Sequence, residues 1–375
     1  MNFLIRPVQN ESDKMKFIKS QWNFYKNDKN FVPPIIADRK NILNTKKNPF
    51  YEHSEIQLFL AERGGEVIGR IAAITNENHN KEHNDNIGFF GFFECVNEQE
   101  VADALFAECE KWLRAKGKDA IRGPENPSQN DDCGLLYKGL DMPSVIMMPY
   151  NPEYYIGLIE NYGFKKVQDL FAYLLKIDTF VTEKMERMDR IIRERYKVEM
   201  KTVDFKHKKQ FLQDLETIKS IYNCAWVPNW GFVKMTDKEM DHLANDLKLI
   251  ADPNLAFFIY SKGKVAGFAL ALPDINQVLK FNKKGGMLGA LWHLKTKKKR
   301  INLVRIIILG ILPEFQRMGL DSCLYYEFLK KGLDGGYMKG EASWILEDNE
   351  KMNRGLTQTM NAEHYKTYRI FQKSI

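Results

Sequence analysis

The chain has 375 residues, of which 44% are hydrophobic and 28% charged, and its net charge is +7. This is the composition of an ordinary globular protein, long enough for two domains rather than one. No apolar run approaches the roughly 20 residues that a transmembrane helix requires, and the first residues become charged within a few positions. We therefore expect a soluble cytoplasmic protein of bacterial type, with no signal peptide and no membrane partner.

The five cysteines and seven histidines are scattered along the chain. The cysteines form no C-x-x-C pair and their number is odd, which argues against a disulfide framework. The histidines show no H-E-x-x-H or other ligand spacing. The sequence therefore predicts reduced thiols and no metal site.

The first half predicts a helix, a hairpin, a strand and a second helix, in that order. A helical period covers residues 12–28, and residues 58–73 read LFLAERGGEVIGRIAA, which is the pattern of two strands joined by a glycine turn. The apolar run IGFFGFFEC (residues 87–95) and the amphipathic stretch 100–117 follow.

A charged helix is predicted next, over residues 179–197. Met185, Met188 and Ile192 alternate with charged residues, which is typical of an exposed connecting helix. We place the domain boundary near residue 180.

The second half repeats the plan of the first. A helix is predicted at 208–226, a glycine hairpin at 256–271 (AFFIYSKGKVAGFALA), a strand at 304–312 and a helix at 321–336. The repeat predicts two α/β domains, residues 1–178 and 198–375, connected by residues 179–197.

The turn after the predicted strand 304–312 carries a motif. Residues 313–321, PEFQRMGLD, fit the pattern P-x-x-[RQ]-x-x-G-x-[GA] except at the last position. This loop resembles the pyrophosphate-binding loop of GCN5-related N-acetyltransferases (GNATs). The physics is that of a helix N-terminus, where unpaired amides and the helix dipole favour an anion.

The resemblance extends over nearly the whole chain and implies two tandem GNAT-like domains. Each would have a mixed, mostly antiparallel twisted sheet flanked by helices. It implies acetyl-CoA or another acyl-CoA as co-substrate and no metal. The implied cofactor-binding residues are Ile311, Gln316, Arg317, Met318, Gly319, Leu320, Asp321 and Asn349.

Three departures from the family pattern stand beside the matches. Asp321 places a carboxylate where glycine or alanine would lie, and as a helix N-cap it would repel a diphosphate. Thr357 aligns with a tyrosine that often protonates the leaving thiolate in the family. The first half has no glycine loop, and Glu98 and Glu100 stand in its place. Only the second domain is therefore expected to bind acyl-CoA.

Acyl transfer from a thioester to an amine needs a base, a proton source and an acceptor pocket. Glu347 is our candidate base and Tyr365 our candidate acid; a solvated turn and an ordinary strand aromatic are the structural alternatives. The aromatic segment 224–236 supplies the candidate acceptor residues Trp226, Asn229 and Trp230, although packing over the loop explains the tryptophans about as well.

Three functions remain open from the sequence. The first is an acyl-CoA-dependent N-acyltransferase acting on a small-molecule or peptide amine. The second is a catalytically silent ligand-binding or interaction protein on the duplicated fold. The third is an aminoacyl-tRNA-dependent transferase, which the chain resembles in its tandem domains but not in the long helical arm of those enzymes.

Two basic segments bear on the partner. Residues 280–286 and 295–300 can attract nucleotide phosphates, nucleic acid or anionic lipid, or form a solvated loop. A nucleic acid is expected only under the third function, as tRNA. The sequence leaves the oligomeric state open.

Overall fold

Two compact units make up the chain in the computed structural model, which describes residues 2–179 and 182–375. The first unit contains the described residues up to Leu170, with Val278–Thr296 and Lys366–Ile375. The second contains the described residues of Phe171–Gln277, with Lys297–Tyr365. Part of the predicted boundary, residues 180 and 181, lies outside the described residues.

The elements of the first half alternate between strands and helices much as the sequence predicts. In chain order they are β1 (Leu4–Pro7), α1 (Glu11–Lys19), α2 (Gln21–Phe24), α3 (Ile36–Ile42), β2 (Ser54–Arg63), β3 (Glu66–Asn76), α4 (Glu77–His83), β4 (Ile87–Cys95), α5 (Gln99–Ala115), β5 (Ala120–Gly123), β6 (Glu125–Asn126), β7 (Asp132–Cys133), β8 (Leu135–Lys138), α6 (Tyr154–Asn161) and β9 (Lys165–Lys176).

The second half follows the same order from its connecting helix onward. Its elements are α7 (Thr182–Tyr196), β10 (Val198–Thr202), α8 (Lys208–Ala225), α9 (Asp237–Lys248), β11 (Ala256–Ser261), β12 (Lys264–Pro273), α10 (Asn276–Leu279), α11 (Met287–Lys297), β13 (Leu303–Ile311), α12 (Leu320–Asp334), β14 (Lys339–Leu346), α13 (Glu350–Arg354) and β15 (Glu363–Ser374).

The sheet of the first unit runs β1-β2-β3-β4-β5-β15. All of these neighbours are antiparallel except β4 and β5, which are parallel. Because successive side chains of a strand point to opposite faces, β2 feeds two separate cores. Phe59 packs into the cluster that contains α5, and Leu58 and Leu60 pack into the cluster that contains Phe17 of α1.

The parallel pair of the first unit separates after three residue pairs. The register runs from Ile87↔Ala120 to Phe89↔Arg122. The loop after β5 then fills the space beside β4, because the amide of Phe92 donates to Asn126 Oδ1 and a Cβ on Gly91 would lie 1.7 Å from Glu125 O. The first unit thus closes this opening with its own chain.

The sheet of the second unit runs β10-β11-β12-β13-β14-β9, with Phe171–Lys176 of β9 lying in this unit. Strands β10 to β13 are antiparallel neighbours, and β13 and β14 are parallel. Helix α12 covers one face, where Phe257 and Phe328 have ring centroids 4.8 Å apart. The predicted repeat is therefore present in the strand order of both units.

Two stretches of the second half belong to the first unit. Strand β15 pairs with β5 from Phe371↔Gly123 to Ser374↔Ala120, and Phe371 is buried in the first core. The loop before α11 also contacts the first unit, since Ile36 N donates to Gly285 O at 2.9 Å. Pairing between residues so distant in sequence leaves no local signal, which is why the repeat did not reveal it.

The connecting helix α7 forms where it was expected and is exposed over much of its length, but one face of it is buried. Met185 is fully buried, and the Arg193 guanidinium binds Asp189 at 2.8 Å and Glu327 of α12 at 3.0 Å. Met185, Met188 and Ile192 therefore lie on a face that is buried or half-buried within its own unit.

Glu125 yields a prediction about stability and pH. Its side chain is 2% exposed, Oε1 has no hydrogen-bond partner, and burial raises the pKa of this carboxyl to about 8 despite the Arg122 guanidinium. A raised carboxyl pKa favours the protonated form in the folded state, so stability is lost as pH rises from the unfolded value of about 4.5 towards 8. Glu125→Gln, which mimics the neutral acid, should therefore be more stable than the wild type by up to roughly 3–5 kcal/mol at the top of this window.

Urea unfolding of both proteins across that pH range measures the difference. The exposed Glu66, the first residue of β3, gives the matched control Glu66→Gln, for which the stability difference from the wild type should not change with pH. A Glu125→Gln protein whose stability runs parallel to that of the wild type at every pH contradicts the account.

Candidate functional site

The separation of β13 from β14 defines the candidate site in the second unit. Their parallel register covers only Leu303↔Lys339 to Ile306↔Ala342, although β13 continues to Ile311 and β14 to Leu346. Past these pairs the facing backbone groups of the two strands no longer bond to each other. Such an opening exposes amide and carbonyl groups that a bound ligand can pair with.

The loop after β13 turns sharply into α12. A 3-10 turn covers Pro313–Phe315, Arg317 has φ of 67°, and Gly319 has φ of 78°. The prediction that Asp321 caps α12 was wrong, because Gly319 is the N-cap and the helix begins at Leu320. The left-handed conformation that glycine tolerates makes Gly319 the N-cap, two residues before the carboxylate, and the helix begins one residue before Asp321.

The first turn of α12 presents backbone amides toward the loop. Within the part of the chain that the structure describes, no side chain caps this helix, so its leading N–H groups keep the positive end of the helix dipole. Asp321 lies in this first turn and brings a negative charge to it. Gln316 and Arg317 are exposed, and the Gln316 amide donates to Ile311 O at 3.4 Å.

Helix α7 limits access to the same turn. The left-handed backbone requires glycine at position 319, and a Cβ there would also lie 3.0 Å from Ile192 Cδ1. The amides at the start of α12 fit an anion, whereas Ile192 and Asp321 narrow the space and oppose its charge. The backbone amides of the loop are therefore suited to a diphosphate, whereas the side chains of Ile192 and Asp321 disfavour one.

The end of β14 lies at the same sheet edge as the end of β13, because parallel strands have their carboxyl ends together. Glu347 is half-buried and follows β14 directly. Asn349 is the N-cap of α13, and its side-chain oxygen accepts from Met352 N at 3.2 Å. Asn353 donates to Leu346 O and Glu347 O, both at 3.1 Å, and fixes this turn.

Tyr365 belongs to a buried polar cluster that sequence reasoning missed. Its hydroxyl donates to Glu341, which is fully buried, and the Ser343 hydroxyl donates to the same carboxylate. Arg305 Nε donates to Ser343 Oγ at 2.8 Å and lies 3.9 Å from Glu341 Oε1. The signal in the sequence was a charged residue inside each of the apolar runs VRIIILG and EASWIL.

This polar cluster lies where the two strands begin to separate. Arg305 and Glu341 form a directly opposed pair in the parallel register, one position before its last pair. Ser343 follows on β14 immediately after that last pair. The candidate acid Tyr365 therefore lies at the start of the opening, and its proton is held by Glu341.

Trp226 is the candidate acceptor residue that the structure brings to the opening. A Cβ on Gly310 would lie 2.3 Å from Trp226 Cη2, so the indole covers the end of β13 next to Ile311. Its ring stacks on Tyr222 with centroids 5.0 Å apart. Asn229 and Trp230 lie half-buried in the following turn, where Asn229 N donates to Trp226 O at 2.9 Å.

An apolar cavity of about 60 Å³ in this unit borders β13 and α12, and Ile306 of the last parallel pair is among its lining residues. Its lining also includes Val304 at the start of β13 and Gly332 near the end of α12, whereas the loop 313–319 precedes the start of that helix.

Among the described residues, no group of three or more His, Cys, Asp or Glu side chains could hold a metal ion. Nor does any described helix have the length and apolarity to cross a membrane.

Comparison with known proteins identifies relatives of full length. The chain is 33% identical over 380 residues to a protein of Caulobacter vibrioides named bacterial ceramide synthase, covering 98% of this chain and 97% of that protein. It is 30% identical over 386 residues to the Escherichia coli protein YghO, covering 99% and 95%. No family model matches the sequence.

Solved structures show the same fold at low sequence identity. A tandem GNAT protein from the clavulanic acid biosynthesis pathway covers 99% of this chain and 98% of its own, with a TM-score of 0.57 and 10% identity. A GCN5-related N-acetyltransferase from Sphaerobacter thermophilus covers 100% and 96%, with a TM-score of 0.55 and 11% identity. The predicted tandem GNAT fold is confirmed. The chain belongs to the family of the Caulobacter bacterial ceramide synthase and YghO, built on two tandem GNAT-like domains.

Proposed function

We propose that the chain is an N-acyltransferase that moves an acyl group from acyl-CoA to the amine of a long-chain amino alcohol, with the donor site in the second unit. The observation that carries the proposal is the opening between β13 and β14 with the amides of α12 beside it. The corresponding opening of the first unit is filled by Glu125 and Asn126.

The chemistry of the donor fits the two parts of this opening. The diphosphate of CoA would bind at the N-terminus of α12, where amides and the helix dipole favour negative charge. The amide-containing arm of CoA would pair with the backbone groups of the separated strands, as an added strand does. Gly319, with its left-handed conformation, would allow the phosphates to approach the backbone.

We propose the acceptor from the name of the Caulobacter relative, which matches this chain over nearly its whole length. A ceramide is the amide of a fatty acid with a long-chain amino alcohol, so the name of the Caulobacter protein implies N-acylation of such an amine by that protein. The same acceptor class is proposed here. Trp226, Asn229 and Trp230 would contact it, since Trp226 covers the end of β13 beside the opening.

The reaction requires one proton to move from nitrogen to sulfur. The neutral amine attacks the thioester carbon, the C–N bond forms, the C–S bond breaks, and the thiolate takes up a proton as the amine loses one. We propose Glu347 as the base and Tyr365 as the proton source. Because the Tyr365 hydroxyl donates to Glu341, the phenol would have to leave that partner to reach the thiolate.

A catalytically silent binding protein is the second candidate. Ile192 against Gly319 and the carboxylate of Asp321 in the first turn of α12 both favour it, since they crowd and oppose a diphosphate. The aminoacyl-tRNA reaction has no such observation in its favour.

Turnover separates the two candidates. The protein incubated with palmitoyl-CoA and sphinganine, a long-chain amino diol, should release CoA thiol and form the N-acyl product in equal amounts. A thiol reagent and mass spectrometry follow the two products, and ethanolamine in place of sphinganine should react far more slowly. CoA binding without thiol release from any amine would establish the silent candidate instead.

Asp321 should weaken donor binding. Removing a negative charge from the first turn of α12 without changing shape, as in Asp321→Asn, should raise CoA affinity by about two- to fivefold, the effect of a single charge near a helix terminus. Titration calorimetry measures this. Glu314→Gln, which removes an exposed carboxylate from the preceding 3-10 turn, is the matched control and should change affinity less. Equal affinity for Asp321→Asn and wild type would show that Asp321 does not face the phosphates.

Substitutions of Glu347 and of Tyr365 should each lower kcat. Glu347→Gln should lower kcat by about 10²–10⁴-fold, the usual contribution of a general base, with unchanged unfolding free energy. Asp348→Asn, at the next and exposed position, should leave kcat unaltered.

Tyr365→Phe should lower both kcat and the free energy of unfolding, because it removes a hydrogen-bond donor from the buried Glu341 carboxylate. A Tyr365→Phe enzyme with wild-type kcat would remove Tyr365 from the mechanism.

A further inference from the structure

Helix α11 carries an exposed apolar face. Four of its large apolar side chains are open to solvent: Leu288 is 84% exposed, Trp292 65%, Leu291 56% and Met287 47%. At 100° per residue these four lie within one contiguous arc of the helix, and only Lys295 lies among them. Single exposed apolar residues are ordinary on a protein surface, but a contiguous exposed apolar patch marks an interaction site.

The opposite face of α11 is fixed to the first unit. Ala290 is 1% exposed, and a Cβ on Gly289 would lie 2.5 Å from Asn282 Oδ1. The preceding loop is held by Trp22, whose Nε1 donates to Lys283 O at 2.7 Å, and by Asn282, which donates to Gly286 O at 2.9 Å. The arc of apolar side chains is therefore presented outward on a fixed helix.

Basic residues surround this face on both sides along the chain. Lys280, Lys283 and Lys284 precede α11, Lys295 and Lys297 lie in its last turns, and Lys298–Arg300 follow it in a 3-10 turn. The sequence contains no Asp or Glu from residue 280 to residue 300. The segment therefore joins exposed apolar side chains to a run of basic residues that no acidic residue interrupts.

We propose that α11 and its flanking lysines dock the protein on an anionic lipid bilayer. The exposed apolar side chains would enter the acyl boundary of the membrane interface, and the surrounding cations would lie near the headgroups. With eleven residues, α11 is far too short to span a bilayer. Surface docking also differs from the expectation, drawn from the sequence, that the protein has no membrane partner.

A nucleic acid or a second copy of the chain would each account for only one of the two features of this surface. A nucleic acid would satisfy the lysines but would leave Met287, Leu288 and Leu291 in water. A second copy of the chain would cover the apolar side chains but would bring two basic segments together. An anionic bilayer satisfies both features, and the inference does not rest on acyl transfer, because vesicle binding requires no turnover.

Vesicle flotation tests the inference. The wild type should float with phosphatidylcholine vesicles that contain phosphatidylglycerol, at least tenfold more than with phosphatidylcholine alone, and raising the salt from about 0.1 M to 1 M should weaken this binding as the charges are screened. Substituting Leu288→Gln, Leu291→Gln and Trp292→Gln together should reduce binding at least tenfold. Leu249→Gln is the matched control, because Leu249 is 83% exposed but lies outside α11. This variant should bind vesicles as the wild type does.

A charge variant keeps the test independent of folding. Lys283→Gln, Lys284→Gln, Lys298→Gln and Lys299→Gln together leave the apolar face intact and should abolish the preference for phosphatidylglycerol. Circular dichroism checks that both variants are folded. Three results would each overturn the inference: equal flotation of wild type and apolar variant, tRNA binding without vesicle binding, or a dimer that the apolar variant dissociates while vesicle binding is absent.

Discussion

The separation of the parallel strands β13 and β14 after four residue pairs is the constraint on which the rest of the second unit depends. Parallel strands that part leave backbone donors and acceptors that need other partners. At the start of the opening, Arg305, Ser343 and Tyr365 surround the buried Glu341 carboxylate. After the end of β13, the left-handed Gly319 is the N-cap of α12, whose first amides have no side-chain cap among the described residues. The candidate donor site is therefore a property of the backbone first and of side chains second.

The first unit shows what the same plan becomes when the opening is filled. Strands β4 and β5 part after three pairs, and the loop containing Asn126 then bonds to the Phe92 amide. At the helix that corresponds to α12, Glu98 is the N-cap and pairs with Arg63 at 2.6 Å. A carboxylate at this end offsets the helix dipole without a ligand. The duplication thus supplies one open site and one closed scaffold, and the last strand of the chain completes the sheet of that scaffold.

The local features of this fold could be predicted from the sequence, and the non-local ones could not. Both glycine hairpins, the strands before the loop and the helix after it are present, because turn residues and apolar periodicity act over a few positions. The pairing of β15 with β5 depends on residues far apart in the chain and left no local pattern, and the Glu341 cluster left only single charged residues in two apolar runs. The start of α12 was misplaced because the positive φ of Gly319, and not the capping preference of Asp321, decides it. The buried face of α7 was missed because Arg193 and Asp189, two of its alternating charges, pair within the unit.

Hydrogen exchange with and without acyl-CoA is the most direct test of the central claim, that the donor binds where β13 and β14 part. The backbone amides from Arg317 to Asp321 should become protected when the CoA thioester is added, together with those of β14 beyond Ala342. The amides of Gln99–Val101 at the start of α5 are the internal comparison and should exchange at the same rate with and without the ligand. Protection at α5 instead of α12, or protection at neither helix, would contradict the assignment of the donor site to the second unit.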